Sequence, residues 1–475
     1  MTNKQPQQHY EIGMIGLGVM GRNLLLNMAD HGYSVAGYDQ DQTKVVALQQ
    51  ESAQHNIVGE ANLVDFIALL SQPRTLMLLV PAGAPVDSVI NDLLPYLNKG
   101  DLIIDAGNSY FKDTKLRTRN LAEQGIQFLG VGVSGGEQGA RHGPCFMFGG
   151  PKQAYTRVRP IFEASAAKVN GDPCVAWLGN ESAGHFVKMV HNGIEYAVMQ
   201  LIAETYDLMK RGLGLNDDEM HEAYALWNEG ELNGYLVEIT SHILSKQDDK
   251  TGKRLIDEIL DVAKQKGTGM WTSQSAMELQ VPIPTIDVAV AMRGLSVFAK
   301  QRQQADAIYQ LSLPCLDGDR TRFLTQLGRG LFAAIIISYA QGMALLAVAS
   351  EQYQYHLDLE AVARIWRGGC IIRAALLEDI CMAFHAKPKL SNLLLDPNVS
   401  RKLIDHQDDL RQVVCQAAKS GVPTPGLMVS LGYFDAYRSI GLPANLIQAQ
   451  RDYFGAHSYE RNDASGMFHT EWDKK

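Results

Sequence analysis

From Tyr10 to about Gly179, short apolar runs alternate with stretches in which apolar residues recur every three or four positions. That is the pattern of strand–helix–strand units feeding a parallel sheet. Candidate strands are Glu11 to Ile15, Ser34 to Tyr38, Thr75 to Val80, Leu102 to Asp105, Gln127 to Val131 and Cys145 to Phe148. From Ala183 onward long amphipathic stretches take over and strand signals become few, which predicts an all-helical half. Inside it, YAVMQLIAETYDLM from Tyr196 is followed by WNEGELNGYLVEI from Trp227. YAQGMALLAVASEQY from Tyr339 is followed in the same order by WRGGCIIRAALLEDI from Trp366, which predicts a duplicated helical unit. From Gly441 the chain is polar and aromatic, and it ends in FHTEWDKK without a core pattern. The expected organisation is an α/β domain over 1–182, a large all-α, internally duplicated domain over 183–440, and a C-terminal tail over 441–475 that packs on something else, such as a partner subunit.

One helix carries candidate chemistry. In VKMVHNGIEYAVMQLIAE, Lys188, His191, Asn192 and Glu195 fall at i, i+3, i+4 and i+7, so a cation, an imidazole, an amide and a carboxylate share one stripe of an otherwise apolar helix. Lys188 and Glu195 start about 10.5 Å apart along the axis at a rise of ~1.5 Å per residue. The gap is too long for an ion pair within the helix and wide enough for a small polar substrate between two proton-transfer groups. Apolar surroundings would desolvate both, pushing the lysine pKa down and the glutamate pKa up. A buried polar network that merely sets helix register is the alternative reading.

The first candidate strand runs straight into Gly16-Leu17-Gly18-Val19-Met20-Gly21 and then into the helical run RNLLLNMADHG. Strand, glycines and helix in this order predict a Rossmann-like dinucleotide site: a tight turn at Gly16, backbone approach to a pyrophosphate at Gly18 and close helix–strand packing at Gly21. The second strand ends at Asp39, placed to bond an adenosine ribose 2′-hydroxyl. Gln40 and Asp41 follow with no arginine, and two carboxylates would repel a 2′-phosphate, so NAD is the expected cofactor, with NADP use possible. Asn108, in DAGNS, lies at the carboxyl end of the fourth candidate strand, where ligands bind in open α/β sheets. Ser134, Gly135 and Gly136, in VSGGEQGARHG, offer a hydroxyl and two open backbone N–H groups to a carboxylate.

Composition narrows the partners. The 475 residues are 46% hydrophobic and carry a net charge of −9, which argues against nucleic-acid or anionic-membrane binding and requires any anionic substrate to meet a local cluster of cations. Cys145, Cys174, Cys315, Cys370, Cys381 and Cys415 are scattered, with no paired spacing and no histidine at zinc-ligand spacing. Reduced thiols and no metal site are therefore expected. The polar start MTNKQPQQHYE lacks a signal-peptide core, and no run reads as approaching the ~18 apolar residues of a membrane span, so a cytoplasmic protein is expected.

With the glycine loop, the GNS loop, SGGEQGARHG and GHFVKMVHNGIEY in order, the chain resembles decarboxylating 6-phosphogluconate dehydrogenases over essentially its full length. QKGTG, AMRGLS, IISYAQG, IWRGGCIIR and PANLIQAQRDYFGAH extend the resemblance. It implies a homodimer whose C-terminal tail reaches into the neighbouring subunit. It further implies metal-independent oxidative decarboxylation of 6-phosphogluconate to ribulose 5-phosphate and carbon dioxide, the reaction of gluconate use in the pentose phosphate pathway. Lys188 would be the general base at the 3-hydroxyl and Glu195 the proton donor to C1 of the enediol. Asn108, Ser134, Gly135, Gly136, His191 and Asn192 match positions that hold the carboxylate and hydroxyls. Tyr196, Lys266, Thr268 and Arg293 match the phosphate site, with Arg451 and His457 supplied by the other subunit. The implied cofactor contacts are the glycine loop, Asp39, Gln40, Asp41, Val80, Pro81, Ala82 and Asn108. The chain departs from the family pattern in having Asp39-Gln40-Asp41 where NADP-dependent members resemble Asn-Arg-Thr, Pro81 where many carry lysine, and Met270 where GTGKWT has lysine. The rival readings are a 3-hydroxyisobutyrate-type dehydrogenase, which shares the glycine loops and the lysine but needs no phosphate site, and a non-catalytic NAD-binding protein.

Overall fold

The structure, a computed structural model, describes residues 9–52, 56–310 and 318–473. Cys315, the first eight residues of the polar N-terminus and the two terminal lysines lie outside the described residues. The N-terminal half contains β1 (Ile12–Ile15), β2 (Val35–Tyr38), β3 (Ile57–Glu60), β4 (Thr75–Leu78), β5 (Leu102–Asp105), β6 (Gln127–Ser134) and β7 (Cys145–Gly149). A small hairpin, β8 (Lys168–Val169) and β9 (Asp172–Pro173), then leads to β10 (Val175–Gly179). Between the strands run α1 (Val19–Asp30), α2 (Gln42–Glu51), α3 (Leu63–Ala68), α4 (Ala84–Leu93), α5 (Phe111–Glu123), α6 (Gly136–His142) and α7 (Lys152–Ser165).

Eight strands make one sheet in the order β10-β7-β6-β5-β4-β1-β2-β3. Neighbours from β3 to β6 are parallel, while β7 runs antiparallel to β6. The central strands β1, β4 and β5 are buried at every position, as expected of a parallel sheet covered on both faces. One face packs around Leu24, Val131 and Phe162, the other around Phe66, Ile90 and Leu121. The strand order reverses between β1 and β4, so the crevice at their carboxyl ends is the place for a ligand. Two strands of this sheet were not expected. Ile57–Glu60 and Val175–Gly179 close the two ends of the sheet, where one neighbour suffices and a short, half-exposed apolar run is enough to pair. The strand before Asn108 is therefore the fifth, and β6 runs through to Ser134 rather than stopping at Val131.

The helical half begins with α8 (Ala183–Asp207), α9 (Asp217–Asn228), α10 (Tyr235–Ser245), the single turn α11 (Leu255–Glu258), α12 (Thr268–Glu278), α13 (Pro284–Ser296) and α14 (Ala299–Tyr309). It continues with α15 (Arg320–Gln352), α16 (Leu359–Trp366), α17 (Leu376–Ala386), α18 (Pro397–Ser420) and α19 (Pro425–Tyr437). The long helices α8 and α15 pack side by side at the centre of one large core. The loops that follow the paired tryptophans meet directly, with Gly234 bridging Ala374. A further repeat signal lies in the sequence: Val281-Pro-Ile-Pro opens α13 and Val422-Pro-Thr-Pro opens α19, and both N-caps adopt the same turn, φ −130° and ψ 49° at Ile283 against φ −133° and ψ 56° at Thr424. Each long helix caps the other half's helix. Gln341 of α15 accepts from the Thr285 N–H, and Glu204 of α8 accepts from the Gly426 and Leu427 N–H groups.

The expectation that no apolar run is long enough to span a membrane is corrected by α15, a 33-residue helix that is long and apolar enough. Its most apolar stretch is 83% buried inside the protein, so its apolarity is that of a core helix wrapped by α8, α18 and α19. The tail also has more structure than its polarity suggested. It forms α20 (Ala444–Gly455) and a hairpin of β11 (Tyr459–Glu460) with β12 (Met467–Phe468).

Candidate active site

Small residues bring α8 down onto the sheet. A Cβ at Gly184 would lie 2.3 Å from Met147 O, and one at Gly132 would lie 2.3 Å from Lys188 Cβ. The contact sets Lys188 beside the end of β6, two residues from Ser134, and leaves its side chain only 6% exposed.

The stripe of α8 becomes a continuous polar chain. Lys188 Nζ lies 3.5 Å from His191 Nδ1, and Glu195 Oε2 lies 3.7 Å from the same nitrogen. Amine and carboxylate therefore face the same side, but the imidazole stands in the gap expected to be open. Asn192 Nδ2 donates to Thr268 Oγ1 (3.1 Å), which leaves its Oδ1 to accept from His191 Nδ1 (3.2 Å). His191 Nε2 then accepts from the Ser134 hydroxyl (3.2 Å), whose oxygen takes the Ile371 N–H (3.4 Å). Gly135, at φ +130°, turns the chain after Ser134, and exposed Gly136 has open space around its Cβ position.

Burial shifts the pKa values of the group. Desolvation pulls the Lys188 pKa below that of an ordinary lysine, against the opposing charge of Glu195. Desolvation also raises Glu195 above the usual carboxylate range, against the charges of Lys188 and Arg293. His191 is driven well down by burial and then by Lys188, so it stays neutral. Burial thus makes the amine easier to deprotonate and the carboxyl easier to protonate, the directions that suit a base and an acid on one helix face.

Above this group the Arg293 guanidinium lies 3.4 Å over the Tyr196 ring and donates to Lys264 O (3.3 Å). Thr268, Tyr196 and Arg293 thus converge beside Glu195, while Lys266, two residues beyond Lys264, is exposed on the same loop. Arg451 and His457 are also exposed, on the tail, and neither shares a hydrogen bond, ion pair or ring contact with the Lys188 group. Met270 is 43% exposed at the start of α12.

The crevice fits a dinucleotide. Gly16 has φ +100°, and a Cβ there would lie 2.5 Å from Leu79 O; a Cβ at Gly21 would lie 1.9 Å from Gly16 O. Nothing lies within 4 Å of the Cβ position of Gly18. Gly18 is also the N-cap of α1 with no side-chain cap, so that helix end presents free N–H groups where a pyrophosphate sits. Val19 and Met20 form the first turn of α1. Asp39 accepts from the Leu17 N–H (2.9 Å) and from Lys44 Nζ (3.2 Å), which ties it to the loop rather than leaving it a solvated turn residue. Asp41 caps α2 through Thr43. Asp39, Gln40, Asp41 and Asp92 line a cavity of about 230 Å³ with Gly16, Tyr38 and Val80. Pro81 and Asn108 are exposed and Ala82 half-buried on the neighbouring loops.

Sequence reasoning missed Arg117. It is 6% exposed and ties together the loops that follow β4 and β5, with Nη2 donating to Gly83 O (3.1 Å) and Nη1 3.6 Å from Asp105. It also pairs with Asp87 through Nε (2.7 Å). Asp105 in turn accepts from the Gly107 N–H and the Ser109 hydroxyl on either side of Asn108. No local spacing could reveal this crossbar, because its partners lie far away in the chain. The described cysteines are free thiols, and burial raises Cys145 well above an ordinary thiol and Cys370 to about 12.

Residues 11–179 match the family described as the NAD binding domain of 6-phosphogluconate dehydrogenase, and residues 184–472 match the 6-phosphogluconate dehydrogenase C-terminal domain. The chain is 50% identical over 467 residues to the NADP(+)-dependent, decarboxylating 6-phosphogluconate dehydrogenase of Bacillus subtilis (strain 168), covering 98% of this chain and 99% of that protein. It is 46% identical over 463 residues to the decarboxylating 6-phosphogluconate dehydrogenase of Escherichia coli (strain K12), covering 97% and 99%. The 6-phosphogluconate dehydrogenase of Plasmodium falciparum, solved in its apo form and in complexes with NADP+ and with 6-phosphogluconate, matches with a TM-score of 0.94 at 42% identity, over 97% of this chain and 100% of that one.

Proposed function

The chain belongs to the 6-phosphogluconate dehydrogenase family across nearly its whole length, and on that premise we propose which of its residues carry out the reaction. The activity is oxidative decarboxylation of 6-phospho-D-gluconate to D-ribulose 5-phosphate and carbon dioxide, with reduction of a nicotinamide dinucleotide. When bound, the dinucleotide supplies the hydride acceptor. Lys188, its pKa lowered by desolvation, takes the 3-hydroxyl proton as C3 is oxidised. The ketone then lies β to the carboxylate and serves as electron sink for loss of carbon dioxide, with protonated Lys188 donating to its oxygen. Glu195, its pKa raised by burial, delivers a proton to C1 of the enediol. His191 stays neutral between them, and Ser134, Gly135, Gly136, Asn108 and Asn192 hold the carboxylate and hydroxyls. The observation that carries this reading is the placement of Lys188 and Glu195 on one face of α8, within 3.5 Å and 3.7 Å of the same His191 nitrogen.

The phosphate falls to Tyr196, Thr268, Lys266 and Arg293, completed by Arg451 and His457 from a second copy of the chain in a homodimer. Their exposure on the tail supports delivery to another subunit, and the convergence of cations on one dianion meets the requirement set by a net charge of −9. We further propose a preference for NAD over NADP. Three carboxylates, Asp39, Asp41 and Asp92, line the adenosine-side cavity, and Lys44 is already paired with Asp39, so a 2′-phosphate meets net negative charge. A cytoplasmic location fits this reading. The test is a steady-state assay of 6-phosphogluconate with each dinucleotide, following carbon dioxide. Release coupled to NAD with the larger kcat/KM is expected, and a larger kcat/KM with NADP would overturn the cofactor assignment.

A further inference from the structure

Asp452 is fully buried on an otherwise exposed helix, next in sequence to Arg451. Its carboxylate collects four donors from two segments beyond α20. Oδ1 accepts from the Ser458 N–H and His469 Nδ1, both at 2.9 Å, and Oδ2 accepts from the Thr470 N–H (3.0 Å) and Trp472 Nε1 (2.9 Å). Desolvation alone would raise this carboxyl, but His469, Thr470, Trp472 and Ser458 together hold it down to about 2.

The turn that carries His457 depends on the same residue. Ala456 and Ser458, on either side of His457, are non-glycine residues at φ +49° and +55°, a left-handed backbone that persists only where surrounding contacts over-determine it. Those contacts are the Ala456 N–H on the Asp452 carbonyl (2.9 Å) and the Ser458 N–H on the Asp452 carboxylate. Gln448 Nε2 adds a bond to Ser458 O (2.6 Å), and the Tyr459 and Thr470 hydroxyls meet across the hairpin. Asp452, through its carboxylate and its carbonyl, thus holds the turn that sets where His457 stands relative to Arg451.

We propose that Asp452 is a positioning residue for the substrate phosphate: it folds the tail into a preformed clip that presents Arg451 and His457 together to a second copy of the chain. The inference rests on the reading that the tail completes the phosphate site. Asp452 touches no substrate and acts through those two residues. A built clip carries little ordering cost into the interface, which is how preorganisation strengthens binding.

The test measures kcat and KM for 6-phosphogluconate in the full-length enzyme at saturating dinucleotide. Asp452→Ala should raise KM about tenfold while kcat stays within about threefold, because a misplaced binding group costs uniform binding rather than chemistry. In an Arg451→Ala/His457→Ala background, adding Asp452→Ala should change KM by less than about twofold, the non-additivity of residues acting through one another. Asp452→Asn keeps one carbonyl acceptor and should fall between wild type and Asp452→Ala, which guards against simple misfolding of the alanine variant. Equal effects of Asp452→Ala in both backgrounds, or no KM change where Arg451→Ala/His457→Ala raises it, would overturn the inference and leave the phosphate-site reading standing. If Arg451→Ala/His457→Ala leaves KM unchanged, the phosphate-site reading itself fails, and the inference with it.

Discussion

The stripe on α8 and the crevice at the carboxyl ends of β1 and β4 are built by opposite means. On α8 the proposed catalytic groups are buried side chains that lose solvation: Lys188 is pushed toward neutrality and Glu195 toward protonation. At the crevice the working parts are backbone and loop residues open to solvent. Gly18 has empty space where a side chain would be, and Asn108 and Gln40 are exposed. On the proposed assignment, burial makes the chemistry and shape the recognition, so damage to the two regions should register in different kinetic constants.

Lys188→Met breaks the comparison hardest. It should lower kcat by about 10²–10⁴-fold, the usual contribution of a general base, while dinucleotide binding followed by fluorescence titration stays near wild type. Turnover close to wild type would show that burial of the amine has no catalytic purpose. On the crevice side, Asp39→Asn with Gln40→Arg should move the ratio of kcat/KM for NADP over NAD upward by about 10–100-fold, the worth of ~1.4–2.8 kcal/mol of electrostatic discrimination. An unchanged ratio would remove the ribose argument. Arg117→Gln should raise the KM for the dinucleotide on the order of tenfold by loosening the Gly83 and Asn108 loops together. The KM for 6-phosphogluconate should move less, and equal changes in both would place the crossbar outside the crevice.

The smallest effect lies at the far end of α8. Burial lifts Glu204 to about 7, against the hydrogen bonds it accepts from Gln200, Leu427 and Gly426. A carboxyl whose pKa is higher folded than unfolded favours the fold while protonated, so stability from this group is full below its unfolded pKa of about 4.3 and falls as pH rises toward 7. Glu204→Gln removes the titration. Its Tm relative to wild type should therefore climb between those pH values and level off above them, and a difference independent of pH would contradict the assignment.

Local patterns were readable in the chain and distant ones were not. The glycine loop and the α8 stripe announce themselves because their logic repeats within one turn or one heptad, and the duplicated half because its order recurs. The edge strands Ile57–Glu60 and Val175–Gly179 escape because an edge requires little apolar length. The core helix α15 is as apolar as a membrane span, and only its packing against α8 separates the two. Arg117, the bridging place of His191 and the buried Asp452 depend on partners that approach only after folding, and His191 in particular changes the meaning of the stripe, since the gap between base and acid is partly filled. The tail reads as patternless because its fold rests on one carboxylate rather than on an apolar face.

The central proposal is that burial on α8 draws a base toward its neutral form and an acid toward its protonated form, side by side. The pH dependence of kcat for ribulose 5-phosphate formation, in wild type and in Glu195→Gln, tests it most directly. Wild type should give a bell bounded by the two apparent pKa values of the pair, and Glu195→Gln should be slower and keep only the limb that rises with pH as Lys188 loses its proton. A bell that survives intact in Glu195→Gln would contradict the account.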